Sequence, residues 1–222
     1  MRILIVDCKM DLTSWGSPDL VRFARQVPGA TIVVRRAPQN DLPSNLEGFD
    51  GVIVSGSKTS ALLEDPWIES LLRLIRQALE KEIPFLGVCF GHQMLARALG
   101  GKTSIRVAQK PEYGWAQIHR TPDAEVCSLF KNLPPSFYSF ASHSEEVIPL
   151  PAGLKNLAYS PDCAVQACQF KNLPIFGIQF HPEKSLSEAK KDLLNQRIAQ
   201  SETLYDATVG QRLFENFYDQ IR

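Results

Sequence analysis

The sequence has no surplus of charge of either sign and no long apolar run. Its 222 residues carry 24 Lys and Arg against 24 Asp and Glu, so the formal net charge at pH 7 is zero. A balanced chain has no general attraction for nucleic acid or for an anionic membrane surface. The apolar segments are too short to span a bilayer, and the apolar stretch before Asp7 is too short for a signal peptide. We therefore predict a soluble, cytoplasmic protein with no nucleic-acid or membrane partner.

Cysteine is scarce and its spacing is irregular. The five cysteines are odd in number and show no C-x-x-C spacing, which argues against a disulfide framework and against a zinc site. We expect neither a metal nor a cofactor. Cys127, Cys163 and Cys168 lie in mixed apolar segments and are predicted to be small buried side chains, and packing is also the favoured role of Cys8. Only Cys89 stands in a setting that indicates chemistry.

Strand-like and helix-like segments alternate through the first half of the chain. RILIVD, ATIVVRR, FDGVIVS and IPFLGV have the composition of buried strands, whereas SPDLVRFARQVPG and DPWIESLLRLIRQALEKE have helical periodicity. From about Lys102 to Phe180, several short strand-like segments predict an antiparallel extension that rejoins the main sheet. Two amphipathic C-terminal segments are expected to cover it. The sequence predicts one domain over residues 1–222, an α/β three-layer sandwich with a central mostly parallel sheet, helices on both faces and a small antiparallel extension.

The stretch IPFLGVCFGHQMLARALGG places Cys89 between a predicted strand and a predicted helix. Residues 87–91 fit the nucleophile-elbow pattern G-x-S-x-G with cysteine in place of serine. At such a turn the residues on either side approach closely, and Gly87 and Gly91 remove side chains that would collide. The helix dipole there favours a thiolate, and the amide of Phe90 points toward an oxyanion formed at Cys89. A buried, inert cysteine beside chance glycines is the less favoured interpretation.

A cysteine nucleophile needs a base, and the chain has four histidines. His181 follows the apolar segment PIFGIQF, and Glu183 comes two residues later. In extended backbone these two side chains point the same way, so Glu183 can orient the imidazole. Cys89 and His181 both end predicted strands, whose carboxyl ends meet at one edge of a parallel sheet. His92 is expected to pack in the elbow helix, and His119 to lie at the surface.

Two further segments place polar groups near the predicted site. VSGSKTS ends a strand at Gly56, whose backbone N–H would supply a second oxyanion donor beside that of Phe90. A phosphate-binding loop is the competing interpretation, but the pattern G-x-x-x-x-G-K-[ST] is absent. His143, in ASHSEEV, is expected to follow a strand and either line a pocket or bond within its own loop.

Together, the cysteine elbow, the downstream His-x-Glu and the upstream Ser-Gly loop resemble class I (triad-type) glutamine amidotransferases. The resemblance covers nearly the whole chain and is sharpest at SGSKTSALLEDPWI, PFLGVCFGHQMLARALGG, EYGW, SHSEEV and GIQFHPE. It is nearest to stand-alone members similar to the glutaminase part of GMP synthase and to γ-glutamyl peptidases. The resemblance implies a flavodoxin-like fold, no cofactor, a catalytic triad and thioester chemistry. The implied roles are a nucleophile, a general acid–base, its orienting carboxylate and two oxyanion donors, carried by Cys89, His181, Glu183, Gly56 and Phe90.

The same resemblance implies substrate contacts and a partner. Gln93 matches the position that contacts bound glutamine, and Ser142, His143 and Ser144 match the segment whose backbone receives its amino-acid end. The implied substrate is glutamine or another γ-glutamyl amide, and the implied partner is a separate ammonia-accepting synthetase subunit. Two alternatives stay open: a γ-glutamyl peptidase without a partner, and a non-catalytic protein of similar shape whose thiol senses oxidation or stress. An α/β-hydrolase is disfavoured, because its acid normally precedes its histidine.

Overall fold

A computed structural model describes residues 1–11 and 17–221 of the chain. Its strands, numbered β1 to β9 in chain order, are Arg2–Asp7, Thr31–Arg36, Gly51–Val54, Phe85–Val88, Ile105–Arg120, Ser136–Val147, Leu154–Tyr159, Ala167–Phe170 and Ile175–Ile178. Its α-helices, numbered α1 to α5, are Pro18–Ala24, Pro66–Glu80, Phe90–Gly100, Leu186–Gln196 and Ala207–Tyr218. The single domain predicted over residues 1–222 includes residues 12–16 and 222, which lie outside the described residues.

Parallel strands form one half of the sheet, in the order β2-β1-β3-β4-β9. The interior strands are short and apolar because both of their faces are covered. Ile3 and Ile5 of β1 belong to an apolar cluster with α1 and α5, while Leu4 and Val6 point the opposite way, into a cluster with α2 and α3. The predicted three-layer arrangement, with helices on both faces of a mainly parallel sheet, is confirmed.

The antiparallel extension consists of β8, β7, β5 and β6, and the sheet continues from β9 in that order. Strand β9 joins the two halves, since it is parallel to β4 and antiparallel to β8. The predicted extension that rejoins the main sheet is therefore confirmed. The segment LKNLAY, which forms β7, was not among the predicted strands: Lys155 and Asn156 interrupt its apolar pattern, and pairing with β8 makes it a strand.

The two C-terminal helices cover the sheet, as the sequence predicts. Helix α5 packs with α1 over the parallel half. Helix α4 contributes Ala189 and Leu193 to a smaller cluster that covers Trp115 of β5 and Phe140 of β6. In the part of the chain that the structure describes, no helix combines the length and the apolarity that a membrane crossing requires.

His92 lies on the sheet-facing side of α3 and has no exposed surface. Its Nδ1 is 3.5 Å from the sulfur of Cys168 on β8, and the ring occupies the space that a side chain at Gly177 of β9 would fill. The prediction that His92 packs within the elbow helix is confirmed. Burial, reinforced by repulsion from His143, lowers the pKa of the imidazole from 6.5 to about 3. The ring is therefore neutral in the folded protein at physiological pH.

We expect acid to destabilise the protein partly through His92. Because the pKa of His92 is depressed on folding, its contribution is complete above about pH 6.5 and is lost as the pH falls toward about 3. Over that range the unfolding free energy of the wild type should fall by about 1.4 kcal/mol per pH unit relative to His92→Gln. Urea unfolding of both proteins at several pH values measures this difference, and parallel pH dependences would contradict the assignment.

Candidate active site

Cys89 occupies a strained turn between β4 and α3. Its backbone dihedrals are φ 50° and ψ −100°, outside the regions that residues with a side chain normally adopt. The turn is held on both sides: the amide of Cys89 donates to the carbonyl of Ile178 at 2.7 Å, and its carbonyl accepts from the amide of Gln93 at 3.1 Å. Strain of this kind persists only where the surrounding structure enforces it, and it concentrates at functional sites.

The glycines beside Cys89 allow the turn to close. A Cβ atom on Gly87 would lie 2.4 Å from the carbonyl group of Gly91, so the predicted close approach of these residues is confirmed. A Cβ atom on Gly91 would instead meet the carbonyl oxygen of Val54 at 2.5 Å. The second glycine therefore clears strand β3 rather than Gly87, a contact that the local pattern could not indicate.

Cys89, His181 and Glu183 come together at the carboxyl ends of β4 and β9. They are 4%, 8% and 8% exposed, and Nδ1 of His181 lies 2.6 Å from Oε1 of Glu183. The ring also hydrogen-bonds the Cys89 side chain, for which its other nitrogen remains. The backbone amide of His181 donates to the carbonyl of Phe140 at 2.7 Å, which fixes the segment against β6. The predicted convergence of the three side chains is present in the structure.

The electrostatic environment of His181 favours its charged form. Burial by itself lowers the pKa of an imidazole, but the nearby Glu183 carboxylate and the Cys89 sulfur outweigh it and raise the pKa of His181 above its usual range. A base with this environment can hold a proton taken from a neighbouring thiol. The arrangement can therefore support a thiolate–imidazolium pair, which is the reactive form of a cysteine nucleophile.

Two backbone amides lie beside the sulfur. Phe90 is the first residue of α3, where amides have no partner within the helix, and its buried ring packs on Trp67 with centroids 5.7 Å apart. Gly56 follows β3, and a Cβ atom there would lie 2.9 Å from Cε1 of His181 and 3.5 Å from Cβ of Cys89. Only a glycine permits that approach. Both predicted oxyanion donors thus adjoin Cys89, and their role stays a prediction.

Comparison with known proteins agrees with this geometry. Residues 5–201 match the family model described as glutamine amidotransferase class-I. The chain belongs to the class I glutamine amidotransferases. It is 37% identical over 163 residues to a subunit of the glutamine-hydrolyzing GMP synthase of Methanococcus aeolicus, covering 73% of this chain and 79% of that protein. The corresponding subunit of Methanocaldococcus jannaschii gives the same identity and coverage. A glutamine amidotransferase of known structure from Thermotoga maritima shares the fold, with a TM-score of 0.81 at 23% identity over 100% of this chain and 97% of that one.

The loop after Gly56 in this amidotransferase is tied to the rest of the site by Glu145 of β6. The Glu145 carboxylate accepts hydrogen bonds from the hydroxyl of Ser60 and from the amide of Ala61, the latter at 2.7 Å. On the other side, Arg97 of α3 donates to the carbonyl of Ala61 at 2.6 Å. Sequence analysis gave Glu145 no role, because its partners lie more than 80 positions earlier in the chain.

The predicted substrate-binding residues lie on two sides of Cys89. Gln93 is buried on α3, and its side-chain nitrogen donates to the carbonyl of Glu145 at 2.9 Å. The carbonyl of Ser142 on β6 lies 3.8 Å from the Cys89 sulfur, whereas Ser144 is exposed. Gln93 and Ser142 thus lie within the candidate site, and the contacts of all the predicted residues with glutamine stay predictions.

His143 differs from the sequence-based expectation in its position. It lies inside β6 rather than after a strand, because β6 continues to Val147 along β5. Its Nε2 is 2.9 Å from the carboxylate of Glu112 on β5, and its Nδ1 is 3.2 Å from the carbonyl of Glu145. The ring is therefore occupied by structural partners, and the backbone of this segment is the part left to meet a substrate.

The remaining cysteines of the amidotransferase are buried without a comparable base. Burial raises the pKa of the thiols of Cys8 and Cys127, and it raises those of Cys163 and Cys168 to about 12. All four are 5% exposed or less. The prediction that they are packed side chains is confirmed. These thiols should be inert toward reagents that need a thiolate.

We expect iodoacetamide to alkylate Cys89 in the native protein well before any other cysteine. The four buried thiols have raised pKa values and no histidine with a carboxylate partner, whereas Cys89 adjoins His181. Peptide mass spectrometry after brief labelling measures the order of modification, with labelling in urea as the control for intrinsic reactivity. Labelling of Cys8 or Cys168 at the rate of Cys89 in the folded protein would contradict this description of the site.

Proposed function

We propose that this amidotransferase hydrolyses the side-chain amide of glutamine through a glutamyl thioester on Cys89, releasing glutamate and ammonia. The observation that carries the proposal is the strained, helix-capping cysteine, hydrogen-bonded to a histidine that is itself held by Glu183 at 2.6 Å. The membership of the chain in the class I glutamine amidotransferases supplies the substrate class.

The first half of the reaction forms the thioester. The Cys89 sulfur attacks the amide carbon of glutamine, and its proton passes to His181, whose raised pKa suits it to hold that proton. Glu183 keeps the ring oriented throughout. The carbonyl oxygen becomes an oxyanion beside the amides of Gly56 and Phe90, and each such donor is typically worth about 2.7–4 kcal/mol in the transition state. The imidazolium then protonates the departing nitrogen, and the C–N bond breaks to release ammonia.

The second half regenerates the enzyme. Water enters the position that ammonia has left, and neutral His181 removes its proton as the oxygen attacks the thioester carbon. A second oxyanion forms at the same two amides. When it collapses, the C–S bond breaks, glutamate leaves and the sulfur of Cys89 recovers its proton from His181. No group outside the described residues is needed to balance these steps.

We also propose that the ammonia passes to an acceptor held by a separate synthetase subunit. The two archaeal relatives, of which this chain covers more than three quarters, are subunits of glutamine-hydrolyzing GMP synthases, and proteins so named work together with another chain. These relatives support glutamine as the substrate and favour this function over a partner-free γ-glutamyl peptidase and over a non-catalytic thiol sensor.

We expect a covalent glutamyl adduct on Cys89 when the protein is incubated with glutamine. Rapid acid quenching followed by peptide mass spectrometry should detect it, and glutamine should form it faster than γ-glutamyl peptides do. In Cys89→Ala the adduct should vanish and glutaminase activity should fall by at least about 10³-fold.

The matched control is Cys127→Ala, which removes a buried thiol outside the site and should leave turnover intact. Circular dichroism checks that both variants remain folded. Full glutamine hydrolysis by Cys89→Ala would overturn the mechanism, and faster adduct formation from γ-glutamyl peptides than from glutamine would replace the proposed substrate.

We expect the partner to separate two activities of the complex. With a GMP synthase subunit that lacks its own glutaminase, the wild type should support synthesis from either glutamine or ammonium salts. Cys89→Ala should retain ammonium-dependent synthesis and lose glutamine-dependent synthesis, because only the nitrogen source is affected. A wild type that hydrolyses glutamine rapidly alone, yet supports no glutamine-dependent synthesis with any candidate synthetase, would contradict the role in a two-chain synthetase.

A further inference from the structure

A buried chain of side-chain amides connects β6 to the sulfur of Cys89. Gln93 donates from Nε2 to the carbonyl of Glu145 at 2.9 Å and to Oε1 of Gln179 at 3.2 Å. Gln179 in turn donates from Nε2 to the Cys89 sulfur at 3.6 Å. Gln93 is 4% exposed and Gln179 is fully buried, so bulk water does not compete for these groups.

The backbone carbonyl of Glu145 fixes the direction of this chain. A carbonyl oxygen only accepts hydrogen bonds, so the Gln93 atom that faces it must be the nitrogen. The same nitrogen also faces Gln179 and therefore meets the oxygen of that side chain. This leaves the nitrogen of Gln179 to face Cys89. The orientation of both amides thus follows from a main-chain group, although oxygen and nitrogen of an amide look alike in most structures.

The position of Gln179 in the sequence explains why it can reach the site. It stands two residues before His181, as Glu183 stands two residues after it, and in extended backbone these alternate side chains share one side. Its own backbone amide donates to the carbonyl of Gln166 at 2.8 Å, which holds it against the neighbouring β8 segment. Two side chains from this one segment therefore contact the sulfur: His181, which exchanges protons, and Gln179, which does not.

We propose that Gln179 is a further catalytic residue of this site, an amide donor that stabilises the Cys89 thiolate. The proposal rests on the proposed function, since it concerns the same nucleophile. The Gln179 N–H bond to sulfur is strongest while the sulfur is negatively charged and weakens when the thioester forms. It therefore favours the thiolate before attack, and favours sulfur as a leaving group when the C–S bond breaks. Gln179 keeps both of its hydrogens at every step.

The test is Gln179→Met, which keeps the length of the side chain and removes the donor. Iodoacetamide alkylation of Cys89 should slow by about three- to tenfold near neutral pH, because the thiolate fraction falls more than the nucleophilicity of the remaining thiolate rises. At alkaline pH, where the thiol is ionised in both proteins, the variant should react as fast as the wild type or faster. In glutamine hydrolysis, kcat should fall while KM changes little.

Two further variants serve as controls. Gln169→Met removes a glutamine of β8 whose nitrogen donates to the carbonyl of Leu173 at 3.0 Å, and it should leave the alkylation profile unchanged. Gln179→Glu keeps the shape of the native side chain but places a carboxylate beside the sulfur, so at neutral pH it should react more slowly than Gln179→Met. This isostere carries the test if the methionine variant fails to fold.

Alkylation needs no glutamine, which separates the two proposals. A wild-type alkylation profile in a folded Gln179→Met or Gln179→Glu protein would overturn the role of Gln179, whatever the glutaminase activity. Absence of glutamine hydrolysis in a wild type whose alkylation responds to Gln179 as described would overturn the proposed function and leave the amide donor supported.

Discussion

The site depends on one backbone hydrogen bond, from the amide of Cys89 to the carbonyl of Ile178 at 2.7 Å. It forms because β4 and β9 are parallel neighbours in register, with Val88 opposite Ile178. The bond holds Cys89 at a positive φ that costs on the order of 1–3 kcal/mol for a residue with a side chain. Close packing at Gly87 and burial of α3 offset that cost. The position of the sulfur, of the first amide of α3 and of the Gln93 side chain all follow from this turn.

The sheet then brings distant parts of the chain to that turn. Strands β3, β4 and β9 are consecutive neighbours and parallel, so the residues that follow them meet at one edge. This explains the meeting of Gly56, Cys89 and His181. The antiparallel extension supplies the opposite side, because β6 contributes the carbonyl that binds His181 and the carboxylate of Glu145 that ties down the loop after Gly56. Both halves of the mixed sheet are therefore needed to build the site.

Burial alone does not decide the charge of a histidine in this protein. His92 and His181 are both deeply buried, yet the pKa of His92 is lowered and that of His181 is raised. The difference lies in their partners: His92 contacts the Cys168 thiol, whereas His181 contacts the carboxylate of Glu183 and the sulfur of Cys89. The same low-polarity interior that keeps one ring neutral strengthens the ion pairing of the other.

The sequence by itself determined the features that rest on short-range patterns. Strand–helix alternation predicted the layered sheet, G-x-C-x-G predicted the turn, and the spacing of His181 and Glu183 predicted their hydrogen bond, because each follows from local geometry. Tertiary structure decided the rest. Strand β7 required its partner strand, His143 turned to Glu112 only once β5 and β6 had paired, and Gln179 reaches a sulfur 90 positions earlier. Such contacts depend on which strands become neighbours, and no local pattern in one sequence records that choice.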